Sequence, residues 1–223
     1  MGVVVGGLLP LAVVVAVSPV PVIAVVLLLL ADRAADTGVG FLLGWVVGIA
    51  GATVGSLFLL GGVADPGAGT RSVLSWAAVV LGVLLLSLGV RQWRSRPGPG
   101  EQRALPRWMG AIDRCTAPRA GGLGLVLSVA SPKNLPVCLA AGAVIAGGGL
   151  SRGQDWWAVL VFSAVATCTV AVPVLAHAVL GSRVAGPLDR LRRGLTAHGA
   201  QATTALLLAV GVVLVGQGLG GVR

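Results

Sequence analysis

Apolar residues fall into six runs, at positions 3–31, 38–62, 71–91, 120–149, 156–181 and 200–220, with polar or glycine-rich connections between them. A helix needs roughly 20 such residues to cross the hydrocarbon core of a bilayer, and each run is near or above that length. The pattern predicts an all-α integral membrane protein with six transmembrane helices. The first and fourth runs are longer than a straight crossing requires, and both contain prolines. Proline removes a backbone donor and kinks or breaks a helix, so helices 1 and 4 are expected to be broken or tilted, which absorbs the excess length.

Composition points the same way. Of the 223 residues, 56% are hydrophobic and 10% charged, where a soluble domain carries about 25% charged residues. Mean hydropathy is +0.97. A net charge of +9 would suggest nucleic acid in a soluble chain. Here the arginines stand in the connections, where they set topology and meet anionic lipid, so no nucleic-acid partner is expected. Cys115, Cys138 and Cys168 show no CxxC and no metal-ligand spacing, and read as free thiols in packing roles. The stretch Met1–Pro10 lacks the positive region that opens a cleaved secretory signal.

Six crossings place successive connections on alternate sides. One side collects Arg33, the seven arginines from Arg91 to Arg119, and Arg183, Arg190, Arg192 and Arg193, twelve in all; the other holds Arg71, Arg152 and Arg223. The positive-inside rule then puts the 92–119 and 182–199 connections in the cytoplasm and both termini outside. The 92–119 connection opens with a flexible basic stretch, Arg94–Gly100, and continues through Trp108, Met109 and Ile112, which share one face of a short helix starting near Pro106. Such a helix would rest among lipid headgroups. Two readings of it stay open: a lipid-sensing or gating element, and a plain tether.

The chain reads as two halves. Ser18-Pro19-Val20-Pro21 in the first run and Ser131-Pro132-Lys133-Asn134-Leu135-Pro136 in the fourth are 113 residues apart, and each heads a group of three runs. An odd number of crossings per half forces the halves to insert with opposite orientation, giving a 3+3 inverted repeat. The domains are then a first three-helix repeat at 1–91, a basic cytoplasmic linker at 92–119 and a second repeat at 120–223.

Matched interrupted helices point to a substrate site. Pro19 and Pro21 free the carbonyls of Val15 and Val17, and Pro132 and Pro136 free those of Ser128 and Pro132. Ser18, Ser131, Asn134 and Lys133 are the nearby donors. Lys133 is the sole lysine in the chain, about 13 residues into its run and so roughly 20 Å along the helix axis. An ammonium at that depth costs about 2.5 kcal/mol or more and is tolerated mainly where it lines a cavity or packs against protein. With the positive ends of the half-helices beside it, the constellation favours an anionic group: carboxylate, sulfate or phosphate. The expected substrate-binding set is Lys133, Asn134, Ser131, Pro132, Pro136, Ser18, Pro19 and Pro21.

All seven acids, Asp32, Asp36, Asp65, Glu101, Asp113, Asp155 and Asp189, lie in connections or at run ends. A divalent-cation carrier needs carboxylates at mid-depth, so no metal and no cofactor is expected. His177, near Pro173, reads as a packing histidine, with a proton relay as the alternative. Trp45, Trp76, Trp156 and Trp157 lie in the first third of their runs, and interfacial anchoring accounts for the outer ones. No protease, esterase or nucleotide-binding motif occurs, and no enzyme activity is expected.

Ser18-Pro19-Val20-Pro21, Gly40-Phe41-Leu42-Leu43-Gly44-Trp45, Pro106-Arg107-Trp108-Met109 with Asp113, and Ser131-Pro132-Lys133-Asn134-Leu135 together resemble the GAP family, the peptidoglycolipid- or sulfolipid-addressing membrane proteins of the lysine-exporter (LysE) superfamily. The resemblance spans most of the chain in the same order. It implies a six-helix, three-plus-three transporter fold and a role in moving cell-envelope glycolipids across the inner membrane of mycobacteria-like bacteria. The Ser/Asn-Pro-Lys-Asn stretch is a hallmark there, and Lys133 and Asn134 occupy it here. The superfamily's disulfide carriers need paired cysteines in the two broken helices, but Val25 is the counterpart of Cys138, and the first run has no cysteine.

The expected function is export or flipping of an anionic or glycosylated envelope lipid, driven by an ion gradient or a partner. Membrane lipids are the expected partners, with a homodimer or other envelope-lipid export proteins as further possibilities. Efflux of an amino acid or small organic anion is the alternative. A non-transporting scaffold for lipid-synthesis enzymes is the second.

Overall fold

The computed structural model describes residues 1–31, 33–61, 68–94 and 115–222. These are almost entirely helical, with no strand among the described residues. The first apolar run is two helices, α1 (Gly2–Ala16) and α2 (Pro19–Leu29), bent by 54°. The fourth is likewise two, α5 (Ala117–Val129) and α6 (Asn134–Ala146), bent by 68°. Both breaks fall where donors are missing. Pro19 becomes the first residue of α2, a position where an absent N–H breaks no helical hydrogen bond. Pro132 stands in the turn before α6, which opens at Asn134 after Lys133.

The other runs are single helices: α3 (Ala34–Gly61), α4 (Ala68–Arg94), α7 (Arg152–Leu180) and α8 (Ala185–Val222). α7 starts with a capping box, Ser151 and Gln154, and ends at Gly181, whose φ of 56° suits a residue without a Cβ. The 182–199 stretch differs from the loop expected. A short 3-10 turn, Gly181–Val184, leads directly into α8, which runs unbroken for 38 residues. Charge ends a hydrophobic run without ending a helix. Leu188 stays buried, and Arg193 pairs with Asp189 one turn before it at 3.1 Å, so the polar turns retain helical spacing. The short helix expected near Pro106, with Trp108, Met109 and Ile112, lies outside the described residues.

Among the described residues, Ala34–Leu59, Arg152–Leu180 and Thr203–Gly220 are each long and apolar enough to span a bilayer. Counting each bent pair as one span raises the number of candidates from three to five. α4 is 27 residues long and packs along α8. Many large apolar side chains point outward, among them Val47, Phe58, Leu160, Val172 and Val212. A surface of this kind belongs against lipid rather than water.

Several helix contacts come in matched pairs. α3 packs on α5 as α7 packs on α1; α3 packs on α6 as α7 packs on α2; α4 packs on α6 as α8 packs on α2. The contacts α3–α7 and α4–α8 each map onto themselves under the same exchange.

Two of these contacts are backbone-tight. On α3, Gly40, Gly44 and Gly48 recur every four residues and face α5. A Cβ at Gly44 would stand 1.9 Å from the carbonyl oxygen of Gly121, and one at Gly40 would stand 2.4 Å from that of Ala117. Gly124 returns the contact against the carbonyl of Phe41. On the far side, Gly82 of α4 and Gly211 of α8 meet in the same way. Lipid tails are as apolar as leucine, so helices associate here by close van der Waals packing, which small residues permit.

Candidate functional site at the two helix breaks

α1 stops at Ala16, and the N–H of Val17 bonds to the carbonyl of Val13. The carbonyls beyond Val13 then have no partner within the helix. Three of them find side chains from elsewhere in the fold. Lys133 Nζ donates to the carbonyl of Val14 at 2.9 Å. Thr169 Oγ1, on α7, donates to that of Ala16 at 2.7 Å. Thr203 Oγ1, on α8, donates to that of Val17, also at 2.7 Å. The first break is therefore held by one donor from each of two other helices, α7 and α8, and one from the turn before α6.

Lys133 connects the two breaks. It is the residue immediately before α6 and is 8% exposed, with its stem buried and its ammonium against the end of α1. Val14 supplies its one protein acceptor among the described residues, and no carboxylate pairs with it there. An ammonium has three donors, so two remain for something other than the described protein. Asn134, the next residue, is 0% exposed, and neither Nδ2 nor Oδ1 has a hydrogen-bond partner. Leaving a buried amide unpaired costs about 1–3 kcal/mol. The site thus carries a buried lysine amine and an adjacent amide, both with unused hydrogen-bonding capacity.

The remaining sequence-derived residues take distinct places. Ser18 is 4% exposed and opens α2, yet its hydroxyl does not cap the helix. Pro19 is partly buried and Pro21 buried. Ser131 is partly buried, and its carbonyl receives the N–H of Asn134 at 3.1 Å and that of Leu135 at 3.4 Å. Pro132 is exposed, and Pro136 is buried.

This geometry corrects one expectation. The positive ends of the half-helices were expected to favour an anion, and free backbone N–H groups are what such an end offers. In α6 the first two N–H groups are consumed by Ser131, and the third position is Pro136, which has none. In α2 the first and third positions are Pro19 and Pro21. The prolines that break the helices also strip donors from the new N-termini. The unused hydrogen-bonding capacity at this site therefore lies in side chains, Lys133 first and Asn134 beside it.

Thr169, Thr203 and Ser163 were not anticipated. Ser163 lies on the buried stripe of α7, and its Oγ has no partner. It precedes Thr169 by six residues, roughly 9 Å along the helix. The usable signal was a hydroxyl inside an otherwise apolar run, but that signal does not say which hydroxyls face a break. The hydroxyl of Thr167, for instance, turns back on the carbonyl of Ser163 in its own helix at 2.7 Å. His177 lies in the last turn of α7, partly buried. Trp45 is buried and stacked on Phe41, with ring centroids 6.3 Å apart, rather than placed at an interface. Trp76, Trp156 and Trp157 are exposed.

No cluster of three or more metal-ligating side chains occurs among the described residues. The model of one protein family, described as Sap, sulfolipid-1-addressing protein, matches residues 8–220. That span takes in both helix breaks and every side chain discussed above. No curated protein and no solved structure matches the chain.

Proposed function

The chain belongs to the sulfolipid-1-addressing protein family, and from that premise we propose that it carries an anionic, lipid-like envelope molecule across the bacterial inner membrane. The observation that carries this reading is the buried Lys133 ammonium at the meeting point of the two helix breaks, with the unpartnered amide of Asn134 next to it in the chain. A sulfate, phosphate or carboxylate on the cargo accepts from both. Charge-assisted hydrogen bonds of this kind are roughly twice as strong as neutral ones. Cargo then takes the donors of the ammonium that the Val14 carbonyl leaves unused.

The proposed architecture is six crossings in a 3+3 inverted repeat, as in the LysE superfamily. It is supported by the two bent pairs at corresponding places and by helix contacts that exchange in matched pairs. In this reading both termini lie outside and the arginine-rich connections face the cytoplasm. Transport proceeds by alternating access around the fixed site. The chain itself makes and breaks no covalent bonds in this scheme.

The test is a deletion strain complemented with wild type, Lys133→Ala or Asn134→Ala, each checked for membrane abundance and thermal unfolding. Lipids are extracted separately from the surface and from the inner leaflet. The proposal expects an anionic lipid to be lost from the surface and retained inside in the deletion strain and in both variants. A folded Lys133→Ala protein that restores surface lipid fully overturns the anion site. Unchanged surface lipid with accumulation of an amino acid inside the cell assigns the site to amino-acid efflux instead.

A further inference from the structure

We propose that the chain has a second lipid site, separate from the helix breaks, which seats an anionic phospholipid of the surrounding membrane along α4. One face of α4 presents a shallow, open depression of about 520 Å³, lined by Val83, Leu86, Ser87, Val90, Arg91 and Arg94. The polarity of the depression changes along its length. Val83, Leu86 and Val90 form an apolar floor, and both arginines stand at the C-terminal end of the helix. From Val83 to Arg94 the helix rises roughly 16 Å, so an acyl chain lies on the floor while its headgroup reaches the charges.

Three observations favour a phospholipid as the occupant. Arg91 and Arg94 are exposed and three residues apart, hence on one helix face. Neither has a hydrogen-bond or ion-pair partner among the described residues, and the planar guanidinium fork suits phosphate oxygens. Basic pockets beside membrane helices bind anionic headgroups in this manner. Trp93, between them in sequence and exposed, belongs to the headgroup level in a membrane helix. Ser87 is excluded as a ligand group, because its hydroxyl already donates to the carbonyl of Leu84 at 2.7 Å. The site requires the chain to lie in a membrane, and it does not require the chain to be a transporter.

The experiment uses the full-length protein in detergent, with phosphatidylglycerol or phosphatidylcholine added and bound lipid counted by native mass spectrometry. The expected result is retention of phosphatidylglycerol about tenfold better than phosphatidylcholine. Arg91→Gln with Arg94→Gln removes that preference, and Lys133→Met leaves it intact. Val90→Trp keeps both charges and fills the depression; it is expected to weaken binding by about tenfold. Undiminished binding in Val90→Trp reduces the effect to unspecific surface attraction and overturns the site. Equal retention of both lipids overturns the charge argument. Loss of binding in Lys133→Met alone moves the lipid to the helix breaks. If the double glutamine variant fails to fold, Val90→Trp and the lipid preference of the wild type still decide.

Discussion

Gly44 and Gly51 lie on the same helix, and alanine at each has opposite consequences. A Cβ at Gly44 meets the carbonyl oxygen of Gly121 at 1.9 Å, and ordinary contact begins at 3.4 Å. Gly44→Ala must therefore part α3 from α5 by about 1.5 Å, unless the backbone bends. The neighbouring contacts at Gly40, Gly48 and Gly124 loosen with it, since they belong to the same backbone-to-backbone seam. Overpacking of this kind destabilises by about 1–3 kcal/mol. At Gly51 nothing lies within 4 Å of the added methyl. There the substitution only removes the flexibility of glycine in a helix interior, and stabilises by about 0.5–1 kcal/mol. The assay is reversible unfolding of the purified full chain in mixed micelles, followed by circular dichroism, with wild type and both variants side by side. Gly44→Ala should lower the midpoint and Gly51→Ala should raise it. Two shifts of the same sign, or a Gly44→Ala protein as stable as wild type, would refute the α3–α5 contact. That contact joins the two proposed halves, so the result also bears on which helices can move in the proposed transport cycle.

Lys133→Met loses a charge-assisted bond worth about 1.5–3 kcal/mol but relieves about 2.5 kcal/mol or more of charge burial; stability by the same unfolding assay should change little while surface lipid is lost. A large fall in stability would make Lys133 chiefly a structural strut. Thr169→Val and Thr203→Val each leave a carbonyl of the first break without its side-chain donor, and each should destabilise by about 1–3 kcal/mol. Thr167→Val serves as the comparison and should cost less than either, because the carbonyl it touches lies in its own helix. Asn134→Leu replaces an unpartnered amide with an apolar side chain and should raise stability by about 1 kcal/mol while abolishing export; destabilisation instead would mean that the amide is satisfied by the fold.

The two broken helices were legible in the chain because a break is a local event. Proline removes its own donor wherever it stands, so the paired Ser-Pro steps at Pro19 and Pro132 mark candidate interruptions, whereas Pro10 and Pro173 are absorbed inside continuous helices. The membrane character was legible for a similar reason, since hydropathy sums over adjacent residues. Helix ends were less so. The start of α8 at Ala185, inside an arginine-rich stretch, went unseen because charge governs where a helix leaves the bilayer and not where its hydrogen bonds stop.

Within the site, Lys133 stood out from the sequence alone, since an isolated ammonium in an apolar run demands an explanation. What the tertiary structure decided was its partner, the carbonyl of Val14, 119 residues away. It also decided that Thr169 and Thr203, 153 and 186 residues from the carbonyls they satisfy, complete the first break. And it decided that Gly40 and Gly44, which in sequence are only small residues at a four-residue interval, press against the backbone of α5. Local chemistry determines which backbone groups lack a donor; only the packing of helices distant in sequence determines which side chain arrives to supply one.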